Sequence, residues 1–519
     1  MHTRKNTTSR DICNSSSNFL KSITKSTIFL NYNKHIIDIT NKFTTSHNIL
    51  LNDIIYTKNT NKFTLTFTET LLDKYNNVPP FIEIFRYLIT KSDFINKFSS
   101  EEQKILYNNL STNHTIQECY KFIEKSNLDK KILDIFYSIT HSSTHSIKSE
   151  LIEKFPSIEF HNLLINSFTS FNIIEDLELR IKKLVTFNVE WQGKKIDNLV
   201  YLFMYENMLT EFNYQELGNE IIKRILFFNA FLHLDKLPSK FIIFLTDKKK
   251  VIDDNVILHM HFKTINVNTA VTNGRDIIIY REQELLKSIF HELIHFHNLD
   301  FRQIPDNIIQ YIIKTHNIKT DNEYLLYECV TEAMANILNN LFLSSSIKKF
   351  TFNLQNEISF STLQVIKILN VCGYNTWDEF SNLDIIDMYS NKLNNNPKQH
   401  FTNPKKQFKQ DSCIMSYYIL KFYILINLDT YFKTCLDTKI KFIQTSESFN
   451  NLIHIFDLSR KNIFIKTIID NVLMNISTNA KNSKSIKHIK HIKNKLTNKI
   501  NKTLRMTCIE SILFSKNSI

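Results

Sequence analysis

The sequence predicts an α+β fold that is predominantly helical. Three observations predict it. Glycine (4) and proline (7) are scarce in 519 residues, so few tight turns interrupt the chain and helices are the natural outcome. Hydrophobic residues make up 43% and aromatic residues 12%, enough to build a packed interior. Between residues 240 and 280 three short β-like runs stand close together, and helix-period patterns resume directly after them.

The length predicts more than one unit. Residues 1–30 are rich in Ser, Thr and Asn and are expected to be a flexible polar arm. Residues 31–195 read as a helical N-terminal region without a chemistry-bearing pattern. In it Phe81 to Phe98 reads as one helix, and Ser99-Ser-Glu-Glu102 has the form of a helix N-terminus. Residues 196–345 are expected to form the domain that carries the chemistry. Its strands are Phe241 to Thr246, Ile257 to Phe262 and Ile277 to Tyr280, the last entered through an Asn273-Gly274 turn. Residues 346–475 read as a helical C-terminal subdomain, broken by a polar stretch from Asn394 to Gln410 with Pro397 and Pro404. Residues 476–519 form a basic tail. No internal repeat is visible.

The net charge of +13 is uneven. Eight lysines and Arg505 lie between Asn471 and Ile509 with no acid among them. There Ile486, Ile489, Ile492, Leu496, Ile500 and Leu504 recur at three and four, the pattern of a basic amphipathic helix. Such a tail suits an anionic partner, nucleic acid or a membrane surface, or docks on the protein body. The seven cysteines include no CxxC pair, which argues against a disulfide framework and for a reducing compartment. Neither a signal peptide nor a run of 18 apolar residues is visible, so a cytoplasmic, non-secreted chain without a transmembrane segment is expected.

From Glu284 the chain reads Glu-Leu-Leu-Lys-Ser-Ile-Phe-His-Glu-Leu-Ile-His. Leu285, Ile289 and Leu293, with Leu286, Phe290 and Ile294, fall at i, i+4, i+8, which predicts a helix with a buried face. His291 and His295 are four apart and project from one side of it, the spacing for two imidazoles on one zinc ion. Glu292 stands about 100° further round, placed to act on water as a general base rather than to bind the metal.

A catalytic zinc needs a third ligand. Ten residues after His291 stands Phe301, not a histidine, and His297 lies about 200° from His295 and faces away. The better source is downstream. Thr320 and Glu323 form a capping-box pattern, followed by an apolar stripe through Leu326, Cys329, Val330, Ala333, Met334, Ile337 and Leu341. Beside that stripe Glu328 and Glu332 share one face. One carboxylate can complete the metal sphere while the other fixes the outer nitrogen of a ligand histidine. The residues leave the order open; we take Glu328 as ligand and Glu332 as the outer partner.

An HExxH helix followed by a helix with Glu-xxx-(Asp/Glu) resembles the gluzincin branch of zinc metallopeptidases. The wording is also similar to metallopeptidases of giant nucleocytoplasmic large DNA viruses. The stretches that carry this are Ile279-Tyr-Arg281, Glu284, Lys287, Phe290 to His295, Leu299-Asp-Phe301 and Tyr327 to Ala335, with a weaker echo at Ser416-Tyr-Tyr418. They cover residues 265–345 for the most part. The resemblance implies a zincin-like catalytic domain, Glu328 as the third ligand, a peptide or protein substrate, and a place in the host cytoplasm or the virion. Within it, Tyr417 or Tyr418 is a candidate donor to the tetrahedral oxyanion. Val267 to Thr272 is a candidate cleft edge for an extended peptide. His259 and His261 alternate on a strand and point the same way, and are expected to be core or surface residues. The competing expectation is a non-catalytic virion or scaffold protein with a structural zinc site and a nucleic-acid-binding tail.

Overall fold

The computed structural model describes residues 9–508 except 61, 72–80, 111–113, 127, 142–150, 152, 155–173, 175–179, 206–213, 235, 253–255, 257–260, 263, 302, 317, 321–324, 382–407, 411 and 482–502. Over these residues the fold is α+β, mostly helical, with a small mixed sheet.

The chain begins with three helices, α1 (Ser9–Ile23), α2 (Ser26–Ser46) and α3 (Asn48–Thr60). The flexible arm expected over residues 1–30 is thus corrected from Ser9 onward. Leu20 is fully buried, and Phe29, Tyr32, Ile36 and Phe43 recur at helical spacing along the buried side of α2. Strand β1 (Phe63–Leu71) follows, and then five helices: α4 (Phe81–Leu88), α5 (Ser92–Ile95), α6 (Ser100–Asn109), α7 (Ile116–Ser126) and α8 (Asp129–His141). The single helix expected from Phe81 to Phe98 is therefore two. The capping box at Ser99 is present: Ser99 Oγ accepts from the Glu102 N–H, and the Glu102 carboxylate accepts from the Ser99 N–H at 2.7 Å. Phe85, Phe94 and Phe136 centre a small apolar cluster among these helices, which reaches Phe203, Phe244 and Tyr280 on the sheet.

Strands β2 (Ile181–Trp191) and β3 (Lys194–Tyr205) form a long hairpin. Gln192 and Gly193 both take positive φ (51° and 72°), as a two-residue hairpin turn requires. The domain boundary expected at 195/196 falls inside this hairpin and is corrected. Helix α9 (Tyr214–Leu232) crosses from β3 to the parallel β4 (Phe241–Phe244). Gly218 of α9 lies so close to β2 that a Cβ there would stand 2.4 Å from the Phe187 ring. After β5 (His261–Phe262) and the single turn α10 (Thr264–Val267) come β6 (Ala270–Thr272) and β7 (Ile277–Ile279). These two pair antiparallel across the Asn273-Gly274 turn, where Gly274 has φ 81°. The sheet order is β1-β2-β3-β4-β7-β6, so β6 is an edge strand. The Val267 to Thr272 stretch is thus part helical turn and part edge strand.

Helices α11 (Leu285–Phe296) and α12 (Asp306–His316) lead to β8 (Ile318–Thr320). Thr320 pairs with Gln410 of β9 (Phe408–Gln410). It does not cap α13 (Tyr327–Phe342), which starts seven residues later, and Glu323 lies outside the described residues. β5, β9 and β8 make a second, three-stranded sheet, so the part of the Ile257 to Phe262 run that is described does not join the main one. Helix α14 (Ile347–Val371) spans the molecule against α1 and α2, followed by α15 (Trp377–Ser381). A π-helix (Met415–Leu420) runs directly into α16 (Lys421–Leu425), and α17 (Leu428–Cys435), α18 (Ser446–Arg460) and α19 (Ile463–Lys481) complete the helices. Residues 503–508 return into the core and are buried throughout. Most of the basic tail lies outside the described residues. No helix among the described residues is long and apolar enough to cross a membrane.

Candidate metal centre

Helix α11 is buried along its whole length and packs on α13 and α9. This is why two polar histidines can be held inside: the apolar residues at i, i+4, i+8 fix the helix, and His291 and His295 face α13. The Nε2 atoms of His291 and His295 are 3.1 Å apart. Glu328 Oε2 lies 3.2 Å from the first and 3.3 Å from the second. Two ligand atoms on one zinc at about 2.0–2.1 Å in tetrahedral geometry stand roughly 3.3–3.4 Å apart. The three edges fit one ion. His291, His295 and Glu328 are the group of donors, among the described residues, that could hold a metal ion.

The outer nitrogens support the same reading. His291 Nδ1 is 2.9 Å from Glu332 Oε2, and His295 Nδ1 is 2.7 Å from Asp300 Oδ2. A carboxylate on Nδ1 keeps the proton there and turns the Nε2 lone pair towards the metal position. Glu332 is itself fixed by Lys287, whose Nζ donates to both oxygens at 2.8 and 2.7 Å. Asp300 accepts from the Thr331 hydroxyl at 3.2 Å. Glu328 thus stands against the two inner nitrogens, and Glu332 against the outer nitrogen of His291.

Asp300 is the participant that the sequence reading missed. It follows Asn298, which takes φ 51° just beyond the end of α11 and turns the chain back beneath His295. The Leu299-Asp-Phe301 stretch was the one available signal. Lys287, one turn before His291 on the same buried helix, was likewise given no role by the sequence reading. His297 caps the helix and packs against the Phe228 ring at 5.8 Å, away from the donors.

The electrostatics are those of a cation site. Burial pulls the His295 imidazole down, but Glu328 and Asp300 outweigh it and hold it well above its ordinary value. His291 is raised in the same sense by Glu328 and Glu332. Burial pushes Glu328 up, yet the two histidines bring it down to about 2. Glu332 is likewise held low, chiefly by Lys287. Three carboxylates and one lysine surround the imidazoles, so positive charge is stabilised between them.

Glu292 is 3% exposed and is not among the converging donors. Burial raises its carboxyl above the usual range, against the pull of His291 and His295. Tyr417 packs beside the site, its ring 6.0 Å from that of His291, and the charges of Glu328 and Glu292 add to the burial that raises its phenol. Tyr327 meets His295 edge-on at 5.5 Å. Tyr418 points elsewhere: its hydroxyl donates to the Leu504 carbonyl. As consecutive residues of one helix the two tyrosines diverge, one towards the histidines and one towards the 503–508 segment. His259 lies outside the described residues, and His261 sits in β5, paired with Lys409 of the second sheet. No protein-family model, no curated protein and no solved structure matches this chain.

Proposed function

We propose that the chain is a zinc-dependent peptidase that hydrolyses peptide bonds with Glu292 as general base. One observation carries the reading. A buried carboxylate stands beside a converging two-nitrogen, one-oxygen donor set without taking part in it. A purely structural site has no use for such a group. The donor set, mixed imidazole and carboxylate with three members, suits zinc with one position left open. Zinc held by His291, His295 and Glu328 would supply Lewis acidity to water and to a substrate carbonyl.

The chain's own residues do the rest. Glu292 accepts the proton of the attacking water and returns it to the leaving amine, a role that suits a carboxyl raised by burial above its ordinary value. Glu332 and Asp300 hold the imidazoles in one tautomer and orientation. Tyr417 is the tyrosine placed to donate to an oxyanion, since Tyr418 is committed to Leu504. The edge strand β6 packs against α11 and offers backbone groups along which an extended peptide can align.

The test is hydrolysis of a mixed peptide pool, read by mass spectrometry, with zinc content measured on the same samples. Cleavage by the wild type, lost at least a hundredfold in Glu292→Gln with zinc retained, supports the reading. Zinc present with no cleavage of any peptide removes the peptidase and leaves a structural metal site. Undiminished turnover in Glu292→Gln removes that residue as the base.

A further inference from the structure

Behind the metal centre, on the side away from the Nε2 atoms, lies a buried network of charged groups of which the hydrolytic reading uses only Glu332. Its members are Lys250, Glu284, Lys287, Glu332, Glu357 and Lys421, all nearly without exposure. They come from five distant parts of the chain. Residues 503–508 thread between them. The N–H groups of Met506 and Thr507 both donate to Glu284 Oε1, at 2.6 and 2.7 Å. Glu284 Oε2 takes Lys250 Nζ at 2.6 Å. The Met506 carbonyl accepts from Lys421 Nζ at 2.6 Å and from Asn336 at 3.3 Å, and Asn336 also reaches Glu332 at 3.4 Å. The Thr507 hydroxyl and Cys508 N–H bind Glu357 at 2.8 and 3.0 Å. Met506 Sδ lies 3.7 Å from Lys287 Nζ.

Glu284 is the pivot. It precedes α11 with φ 65°, a left-handed conformation that costs a non-glycine residue on the order of 1 kcal/mol or more and persists only where surroundings enforce it. The surroundings are Lys250 and the two N–H groups of the segment. Glu284 also acts on Lys287, which is one helical turn away and feels both Glu332 and Glu284. Glu332 holds that ammonium by direct hydrogen bonds, while Glu284 acts on it through its charge. With its charge met by Lys250 and the 506–507 backbone, Glu284 leaves the Lys287 Nζ on both oxygens of Glu332.

We propose that residues 503–508 are a positioning element of the metal centre: by satisfying Glu284 they keep Lys287 on Glu332, and so fix the Glu332 to His291 hydrogen bond that aims the imidazole at the metal. The inference rests on the metal-binding reading above and not on the peptidase one. It joins the return of the chain after the basic stretch to the affinity of a site far earlier in the sequence.

The experiment compares the zinc affinity of the full chain with that of full-length Thr507→Pro, by chelator competition. The absorption spectrum of the cobalt-loaded forms is recorded alongside, with urea unfolding to follow the fold. Proline removes one N–H donor to Glu284 and the hydroxyl on Glu357. Affinity should fall about tenfold to a hundredfold and the cobalt bands should shift. Adding Glu284→Gln removes the competing charge and should restore most of the affinity, which repair of general structural damage would not do. If Thr507→Pro loses its cooperative unfolding transition, exchanging the 506–507 amide for an ester by protein ligation deletes the same N–H and keeps the Thr507 hydroxyl, while weakening the Met506 carbonyl as an acceptor, and a fall that Glu284→Gln reverses is again expected. A folded variant with wild-type affinity and spectrum overturns the inference, and so does a fall that Glu284→Gln leaves untouched. A wild-type chain that binds no zinc overturns instead the metal site on which the inference rests.

Discussion

His291 and His295 each meet a carboxylate on the outer nitrogen and Glu328 on the inner one, so the three glutamate and aspartate side chains are not equivalent. Glu328→Ala should leave the chain with little bound zinc after dialysis against a chelator. Glu332→Ala and Asp300→Ala should keep zinc with affinity lower by about tenfold to a hundredfold. Elemental analysis per chain checks both, and the reverse order for Glu328 and Glu332 would exchange their roles. At this scale the sequence was most informative. A four-residue spacing on a helix places two side chains on one face whatever the rest of the fold does, so His291, His295 and the Glu328/Glu332 pair could be read directly. Asp300 could not, because its position depends on how Asn298 turns the chain after the helix ends.

The elements show a different balance. The helices around the site were legible from periodicity, and β4 and β7 from compact apolar runs. The hairpin β2–β3 was not, although Val185, Phe187 and Val189 alternate with outward residues along it. Its first strand sits beyond a long stretch of helical patterns, and its inward face is completed only by α9, which arrives later in sequence. The start of α13 was misplaced because a Thr-xx-Glu pattern is a local signal, whereas Thr320 is claimed by a strand partner ninety residues on. The α9–β2 contact gives a test of this packing. Gly218→Ala puts a methyl group into the Phe187 ring, and the ring must move. A loss of about 1–3 kcal/mol is expected in denaturant unfolding. Phe187→Leu in the same chain should recover part of it by making room.

For the whole molecule, what the sequence could not show is which buried charges meet. Glu284, Glu357, Lys421 and Met506 become neighbours only through the completed fold, and no local pattern marks them. Lys367 belongs to this part of the core. It is buried on α14, its Nζ donates to the Thr503 carbonyl at 3.3 Å, and burial brings its ammonium down to about 7. In the unfolded chain it returns to the ordinary lysine value of about 10.4. Between those two values the unfolded chain binds the extra proton, so this group makes stability rise with pH from about 7 to about 10. Lys367→Met should therefore be more stable than the wild type at pH 7, and the advantage should shrink as pH rises towards 10. Urea midpoints of the two proteins across that range check the sign. A constant difference would mean that the lysine stays charged inside.

The π-helix at Met415–Leu420 has a consequence for what changes in length the chain can accept. A wide turn takes up one residue more than an α-turn while leaving the helix axis continuous. Deleting a single residue there would return the segment to ordinary winding and leave the helix before it and the helix after it in nearly the same orientation, one residue closer in sequence. If the residue lost lay between Tyr417 and Lys421, the two would stand three apart instead of four, and the angle between the side chain beside His291 and the one on the Met506 carbonyl would change. The spacing between these two residues is thus an integer the protein has to keep, and Tyr418, Ile419 and Leu420 between them are buried in the core.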